Sequence, residues 1–338
     1  MQTLILPLLL LMTIYNIDDT KGLPPISDAG WHTVVTVGMF DGVHVGHQHI
    51  VSVLANTARQ LGLRPLVVTF DQHPREVLST DGTPFPRITT NEERYTRLEA
   101  CGVKELVELH FTAAMAELSA CQFLEQVLVG QLHAEALVLG YDNMFGNKRH
   151  NDFGLLPAEA SRLCVRLFEA GPVEVGGSAV SSTRIRQALR DGHVDEATTL
   201  LGTPYSITGL VEQGFHIGRT LGFPTANITL PENSSTGTAH KLLPADGVYA
   251  VRVLDNDSST VAGSFTGIAN LGTRPTFGRE ERTLEVHLID RQADLYGHSL
   301  TVQFIHRLRD IRKFGSPEEL ASQLEKDRVQ ALRILETV

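Results

Sequence analysis

The sequence predicts a chain in two parts: an α/β domain on a parallel sheet, then a small antiparallel β-barrel with a C-terminal helix. Three observations carry this. Between Thr33 and Phe168, short β-branched or apolar runs alternate with segments whose apolar residues recur at helical spacing, as in strands joined by crossover helices. Beyond Gly192 the texture changes to closely spaced β-branched runs joined by turn-rich connections, without a long helix between them. A chain of 338 residues suggests about two domains, and 42% hydrophobic content is enough for two cores.

The first element in chain order is an apolar run, Leu4 to Met12, which resembles a signal-peptide core. It has no basic residues before it and no small-residue cleavage pattern after it. It is too short to span a bilayer as a helix. Two readings remain, an appended hydrophobic tail or sequence translated upstream of a start at Met12, and the second is favoured because a short apolar extension before a complete domain has no core to join; residues 1–30 are taken as extension and lead-in. Strands are then expected at Thr33 to Val37, Leu66 to Phe70, Glu105 to Leu109, Ala136 to Leu139 and Val165 to Phe168. Open parallel sheets bind ligands at the carboxyl ends of their strands. Here those ends carry the unusual loops: Gly38 to His47, Asp71 to Arg75, Gly140 to Gly146, and the segment through Ser181.

The loop Gly38-Met39-Phe40-Asp41-Gly42-Val43-His44-Val45-Gly46-His47 leads into a helical pattern of Ile50, Val51, Val53, Leu54, Ala58 and Leu61. It is a strand-to-helix turn. The free N–H groups and positive dipole end of such a helix suit phosphate. Gly38, Gly42 and Gly46 allow close backbone approach, and His44 and His47, three residues apart, can both project from the first turn. Two imidazoles there can neutralise phosphates as they react. A glycine-rich turn is also common as plain architecture, so a second signal is needed.

That signal is Val180-Ser181-Ser182-Thr183-Arg184-Ile185-Arg186, where hydroxyl residues stand at the N-cap of a helix running to about Arg190 and stopping near Gly192. Read blandly, it is a capped helix. Read functionally, three hydroxyls and the planar fork of Arg186 make a second anion clamp, and two clamps suit a triphosphate.

After a short helix, Val194 to Leu201, the barrel strands are expected at Tyr205 to Val211, Val248 to Leu254, Val261 to Ile268, Leu284 to Ile289 and Leu300 to Ile305. From Pro317 the spacing of Leu320, Leu324, Val329, Leu332 and Ile334 reads as an amphipathic helix on the barrel. The glycine-rich Gly214 to Asn227 loop enters a strand at Ala226 to Leu230; it lacks the Gly-Lys-Ser/Thr of a P-loop, and spacing alone favours a structural turn. Alternation in Thr283 to Leu288 puts Leu284, Val286 and Leu288 on one face and Glu285 and His287 on the other. On that pattern alone the carboxylate is simply solvated.

Composition excludes other classes. There are 29 basic against 39 acidic residues, net −10, and no basic run to track a nucleic-acid backbone, so no nucleic-acid partner is expected. No membrane association is expected either. Three widely spaced cysteines form neither a metal pattern nor a disulfide framework, which places the chain in a reducing, cytoplasmic setting.

The Gly38 to His47 block paired with Ser181 to Arg186 closely resembles the FAD synthetase module of bacterial bifunctional riboflavin kinase/FMN adenylyltransferases. Thr69-Phe70-Asp71-Gln72-His73-Pro74-Arg75-Glu76-Val77-Leu78 looks like that family's next block. The resemblance runs from about Thr33 to the C-terminus. It implies a Rossmann-like nucleotidyltransferase fold, shared with class I aminoacyl-tRNA synthetases, in which the FMN phosphate attacks the α-phosphate of ATP and pyrophosphate leaves. It further implies that Gly38, Phe40, Asp41 and Gly46, with Ser181, Ser182, Thr183 and Arg186, bind ATP. His44 and His47 would steady the charge on the triphosphate, and His73, Pro74, Asp142 and Phe145 would line the flavin. Asn143 and Met144 depart from the family's pattern, which carries an aromatic residue after that Asp.

In the second half, Gly218 to Asn227 is similar to the phosphate and magnesium motif of riboflavin kinase. The resemblance implies that Gly218, Leu221, Gly222 and Pro224 wrap ATP and that Thr225 and Asn227 hold Mg2+. It makes Glu285 the base that deprotonates the ribityl hydroxyl, with His287 a positioning neighbour, and it places Asn270 to Phe277 near the flavin. The implied organisation is an adenylyltransferase domain at 31–192, a linker at 193–204 and a kinase domain at 205–338. The implied ligands are riboflavin, FMN, FAD and ATP, with ATP as co-substrate and Mg2+ as cofactor; oligomeric state stays open. The alternative is a riboflavin kinase whose N-terminal domain is degenerate, motivated by Asn143 and Met144. A non-enzymatic flavin sensor fits less well, since a binder needs no base or metal pair.

Overall fold

The computed structural model describes residues 12–17, 32–79, 85–141, 145–146, 152–212, 223–230, 241–257, 264–276, 279–291 and 295–337. The chain forms two compact units, Met1–Ser181 and Ser182–Val338.

In the first unit, β1 (Thr13–Ile17), β2 (Thr33–Val37), β3 (Arg64–Phe70), β4 (Glu105–Leu109), β5 (Ala134–Gly140) and β6 (Arg166–Ala170) form one sheet in the order β1-β4-β3-β2-β5-β6. Every pairing is parallel. A parallel sheet is covered on both faces, and β2, Thr-Val-Val-Thr-Val, is buried at every position. Alternate residues serve opposite cores. On one side Val34, Val67, Leu106 and Ala136 pack with Ile50, Val51, Leu54 and Ala58 of α1 (Val45–Leu61); on the other Val35, Leu66, Val107 and Leu137 pack with Phe123, Leu124 and Leu128. The left-handed Gly62, φ 67°, stops α1; the short helices α4 (Ala113–Glu117) and α6 (Leu156–Arg162) lie between later strands, and β7 (Glu174–Val175) pairs with β8 (Ser178–Ala179) after β6.

All five strands expected here are present. A sixth, β1, is added from residues read as lead-in. Its pairing with β4 alone makes it an edge strand, with a mixed Thr-Ile-Tyr-Asn-Ile pattern of which only Ile17 is buried, so neither strand template is satisfied. Strand order reverses direction between β2 and β5: β2, β3 and β4 step one way, β5 and β6 the other. The crevice that binds ligands in such sheets opens at the carboxyl ends of those two strands.

In the second unit, α7 (Ser182–Arg190) and α8 (Val194–Leu201) precede a closed antiparallel barrel of β9 (Tyr205–Glu212), β10 (Thr225–Ile228), β11 (Gly247–Asp255), β12 (Ser264–Thr276), β13 (Arg279–Leu288) and β14 (Ser299–Arg309), in the order β10-β13-β12-β11-β14-β9. Tyr205, Tyr249 and Phe304 are fully buried, Tyr249 edge-on to Phe304 at 5.2 Å. The alternate residues Val248, Ala250 and Ile268 face the other way and pack beneath Ala331 and Leu335 of α9 (Pro317–Leu335), capped by the Ser316 hydroxyl. Residues 193–204, expected as linker, include α8, whose Val194, Ala197, Leu200 and Leu201 are buried and which packs on β9 and β14. The units therefore divide after Ser181, whereas the expected domain boundary lies past α7.

Candidate active sites

The first site is built on the turn between β2 and α1. Its backbone is strained: besides Gly42 at φ 85°, Phe40 and the β-branched Val43 take φ of 48° and 44°, conformations that persist only where surroundings hold them. Three carbonyls of the turn are held by side chains: Met39 by Arg94 Nη1 (3.1 Å), Gly42 by Arg97 Nη1 (3.2 Å) and Val43 by Gln48 Nε2 (2.9 Å). The buried Asp41 carboxylate accepts from Ile88 N (2.9 Å), Thr89 N (3.1 Å) and Thr89 Oγ1 (3.2 Å), and Gly42 N donates to the same hydroxyl. Asp41 thus ties the turn to the 88–89 segment, and the buried Phe40 ring supports His47 edge-on at 5.1 Å.

His44 is the N-cap of α1. Its Nδ1 accepts from His47 N at 3.3 Å, and the two imidazoles stack at 3.6 Å with 16° between planes. The sequence suggested that both project from the first helical turn; instead His44 is buried beneath the more accessible His47. A Cβ on Gly46 would lie 3.1 Å from His44 Nδ1, so glycine there makes room for the capping ring.

His73 caps α2 (Pro74–Leu78): its Nδ1 accepts from Arg75 N (3.1 Å), while Glu76 accepts from His73 N (3.1 Å). The His73 ring stacks on Phe85 at 3.9 Å, and Glu76 pairs with the buried Arg87. Phe145 is a core residue, 5.5 Å from Phe123 and 5.8 Å from Phe153. Asp142, Asn143 and Met144 lie outside the described residues. Ser181 ends the first unit; Ser182, Thr183 and Arg186 open α7, where Arg186 is buried, Thr183 exposed, and neighbouring Arg184 pairs with Glu196.

In the second unit, register does the assembling. Asn227 pairs directly with Glu285 and Thr225 with His287 across β10 and β13, and Asn270 of β12 flanks Glu285 on its other side. Directly opposed residues share a face, as do residues two apart on one strand. So Thr225, Asn227, Glu285, His287 and Asn270 form one polar surface, on the outward side that also carries Ile268 under α9. Glu285 is buried, 9% exposed, rather than solvated as its polar pattern suggests. His287 Nδ1 lies 2.9 Å from Pro224 O and its ring 5.1 Å from Phe223, which pins the approach to β10. Gly218, Leu221 and Gly222 lie outside the described residues.

Asp255, Asp257 and His298 bring potential metal-ligand atoms within 4.8 Å of one another. They sit at the far end of β11, seven residues from Val248, which pairs with Asn270 at the Glu285 level. Thr225 and Asn227 offer instead neutral hard oxygens beside a carboxylate, the donor chemistry magnesium takes when phosphate and water complete its shell.

Sequence reasoning missed the arginines behind the first site. No pattern singles out Arg87, which precedes the helix 91–100, or Arg94 and Arg97 on it; only the fold reveals their bonds to loop carbonyls and the burial of Arg87 and Arg94.

The chain matches known proteins along most of its length. A family model for FAD synthetase matches residues 28–184 and one for riboflavin kinase matches residues 201–335. The chain is 37% identical over 298 residues to the bifunctional riboflavin kinase/FMN adenylyltransferase of Escherichia coli K12, covering 88% of this chain and 91% of that one. It is 35% identical to the Bacillus subtilis 168 protein of that name, covering 89% and 92%. A solved Streptococcus pneumoniae chain described as a macrolide-efflux protein superposes with a TM-score of 0.78 at 33% identity, covering 93% and 97%. No described helix of the present chain is long and apolar enough to cross a membrane.

Proposed function

This chain belongs to the family of bifunctional riboflavin kinase/FMN adenylyltransferases, and we propose that its two polar sites divide the two reactions between them. The protein phosphorylates riboflavin to FMN with ATP, and it adenylylates FMN with a second ATP to give FAD and pyrophosphate. The observation that carries the kinase assignment is the register that sets Asn227 against Glu285 and Thr225 against His287 on one barrel face.

In the kinase site Glu285 is the general base. It accepts the proton of the ribityl hydroxyl as that oxygen attacks the γ-phosphate of ATP, and ADP leaves. Its low exposure keeps the carboxylate out of bulk water, where a base at the surface would be less effective. Thr225 and Asn227 would hold Mg2+, which would neutralise phosphate charge. His287, anchored to Pro224, keeps the strand start in place. Pro224, with Gly218, Leu221 and Gly222, wraps the nucleotide.

In the adenylyltransferase site the protein positions charge and forms no covalent bond. The α1 N-terminus and His47, backed by the stacked His44, balance the triphosphate as the FMN phosphate attacks the α-phosphorus. Gly38 and Gly46 keep the backbone close. Phe40 and Asp41 act from beneath by shaping the turn. By family resemblance, Ser181, Ser182, Thr183 and Arg186 hold the pyrophosphate, and His73, Pro74 and Asp142 line the flavin. Phe145 supports that wall from the core. The setting we propose is cytoplasmic, where the flavin substrates and ATP meet.

The kinase-only alternative is disfavoured by the FAD synthetase match through residues 28–184. The test is incubation with riboflavin, ATP and magnesium, and in parallel with FMN, with flavins separated by chromatography over time. FMN giving way to FAD is the expected course. FMN accumulating in both tubes without FAD would reinstate the kinase-only reading.

A further inference from the structure

The buried Arg94 of α3 (Asn91–Ala100) makes contacts that no role assigned so far explains. Its Nη1 donates to Met39 O (3.1 Å), and its Nη2 to Phe70 O (2.9 Å), Asn91 Oδ1 (3.2 Å) and Glu108 Oε1 (3.2 Å). Met39 lies beyond the carboxyl end of β2, and Phe70 ends β3, so one guanidinium bridges the tips of two adjacent strands. Only a planar fork of donors can serve such spread acceptors; an ammonium is a point charge.

The contact has a direction. In a planar trans peptide the carbonyl and the next N–H point oppositely. Holding Met39 O toward α3 therefore turns Phe40 N–H to the other side of the turn. A flipped peptide would present the Met39 oxygen to an anion instead. Thr69 Oγ1 donates to the same carbonyl at 3.4 Å.

The network extends further. Asn91 Nδ2 donates to Asp71 O (3.3 Å), Arg87 Nη1 donates to that same oxygen (3.1 Å) and to Asn91 Oδ1 (3.0 Å), and Arg87 pairs with Glu76, which caps the His73 turn. The histidine turn and the His73 loop are thus fixed to one frame.

We propose that Arg94 is a positioning residue for adenylyl transfer, locking the Met39–Phe40 peptide with its N–H toward the triphosphate and setting that turn relative to the His73 loop. This rests on the adenylyltransferase reading of the first unit. Arg94 touches no substrate; it acts through the peptide.

The test compares Arg94→Lys, Glu108→Gln and Thr69→Val in the full chain, measuring kcat and KM for FAD formation from FMN and ATP. Circular dichroism and thermal melting report folding. Arg94→Lys keeps the charge and loses the fork, so kcat is expected to fall about 100-fold, the loss typical of one preorganised donor, with both KM values within about threefold. Glu108→Gln removes the ion pair without touching Met39 and is expected to keep kcat within about threefold. Thr69→Val removes the weaker bond to Met39 O and is expected to cost kcat several-fold at unchanged KM. Full kcat in folded Arg94→Lys overturns the proposal, and so does an equal loss in Glu108→Gln. If Arg94→Lys does not fold, Thr69→Val decides, and full kcat there overturns it. Wild-type protein forming no FAD would sink the adenylyltransferase reading itself, a result distinct from active wild type with an active Arg94→Lys.

Discussion

At the scale of single residues, the two sites depend on space as much as on charge. Gly46 leaves the His44 ring room to cap α1 and to stack under His47. Gly46→Ala puts a methyl 3.1 Å from His44 Nδ1 and forces the ring to shift. The shift needed is a few tenths of an ångström, so adenylyl transfer is expected to fall several-fold, with riboflavin phosphorylation unchanged, as read by the two-substrate flavin assay. Glu285 is sensitive in a different way if, as proposed, it is the base. Glu285→Gln keeps the shape and removes the base, so FMN formation should drop by about 10² to 10⁴ while FAD formation from supplied FMN persists. Equal loss of both reactions in folded Glu285→Gln would contradict the assignment of the base to the kinase alone.

At the scale of elements, helix ends are where electrostatics can be measured. Asp152 accepts from Ala120 N (3.2 Å) and Cys121 N (3.3 Å), supplementing the Ser119 cap of α5 (Ala120–Phe123). Burial works against the charged form, but the hydrogen bonds from Ser119, Cys121 and Ala120 prevail and hold the carboxyl below its ordinary range. A depressed acid stabilises above its unfolded pKa of about 4 and loses that contribution as pH falls through the folded value. Asp152→Ala should therefore cost a few tenths of a kcal/mol at neutral pH, solvent screening holding the value low, and the difference from wild type should shrink on acidification in denaturant titrations. The same neighbourhood pushes the Cys121 thiol up to about 11, through burial and then Asp152. The elements also differ in how plainly the sequence declares them. β2 to β5 were readable because strands covered on both faces are rich in β-branched and apolar residues, and α9 because Ser316, Pro317 and periodic leucines mark its start and face. The strand β1 was hidden, since an edge strand needs only part of its pattern. Nothing in Asn-Glu-Glu-Arg-Tyr-Thr-Arg-Leu-Glu-Ala, the helix α3, announces that Arg94 lies inside, because that depends on which loop carbonyls pass nearby. Glu285 was singled out by family resemblance, while its burial depends on cross-strand register, which local spacing does not encode.

At the scale of the whole molecule, two units with separate cores predict separable reactions joined only by the intermediate. A mixture of Glu285→Gln and His47→Ala proteins should convert riboflavin to FAD although neither alone does so. FMN made by the His47 variant would reach the intact adenylyltransferase of the other, and a mixture that stalls at FMN would refute free exchange. The edge strand β1 has one more consequence, for solubility. By pairing from Thr13↔Glu105 through Ile17↔Leu109, it occupies the outer row of β4 backbone hydrogen-bonding groups. An unprotected strand of that kind, Glu-Leu-Val-Glu-Leu, is a template for strands from other molecules. A version beginning after Ile17 should keep both chemistries in dilute solution yet self-associate as concentration rises, which light scattering would register against the full chain.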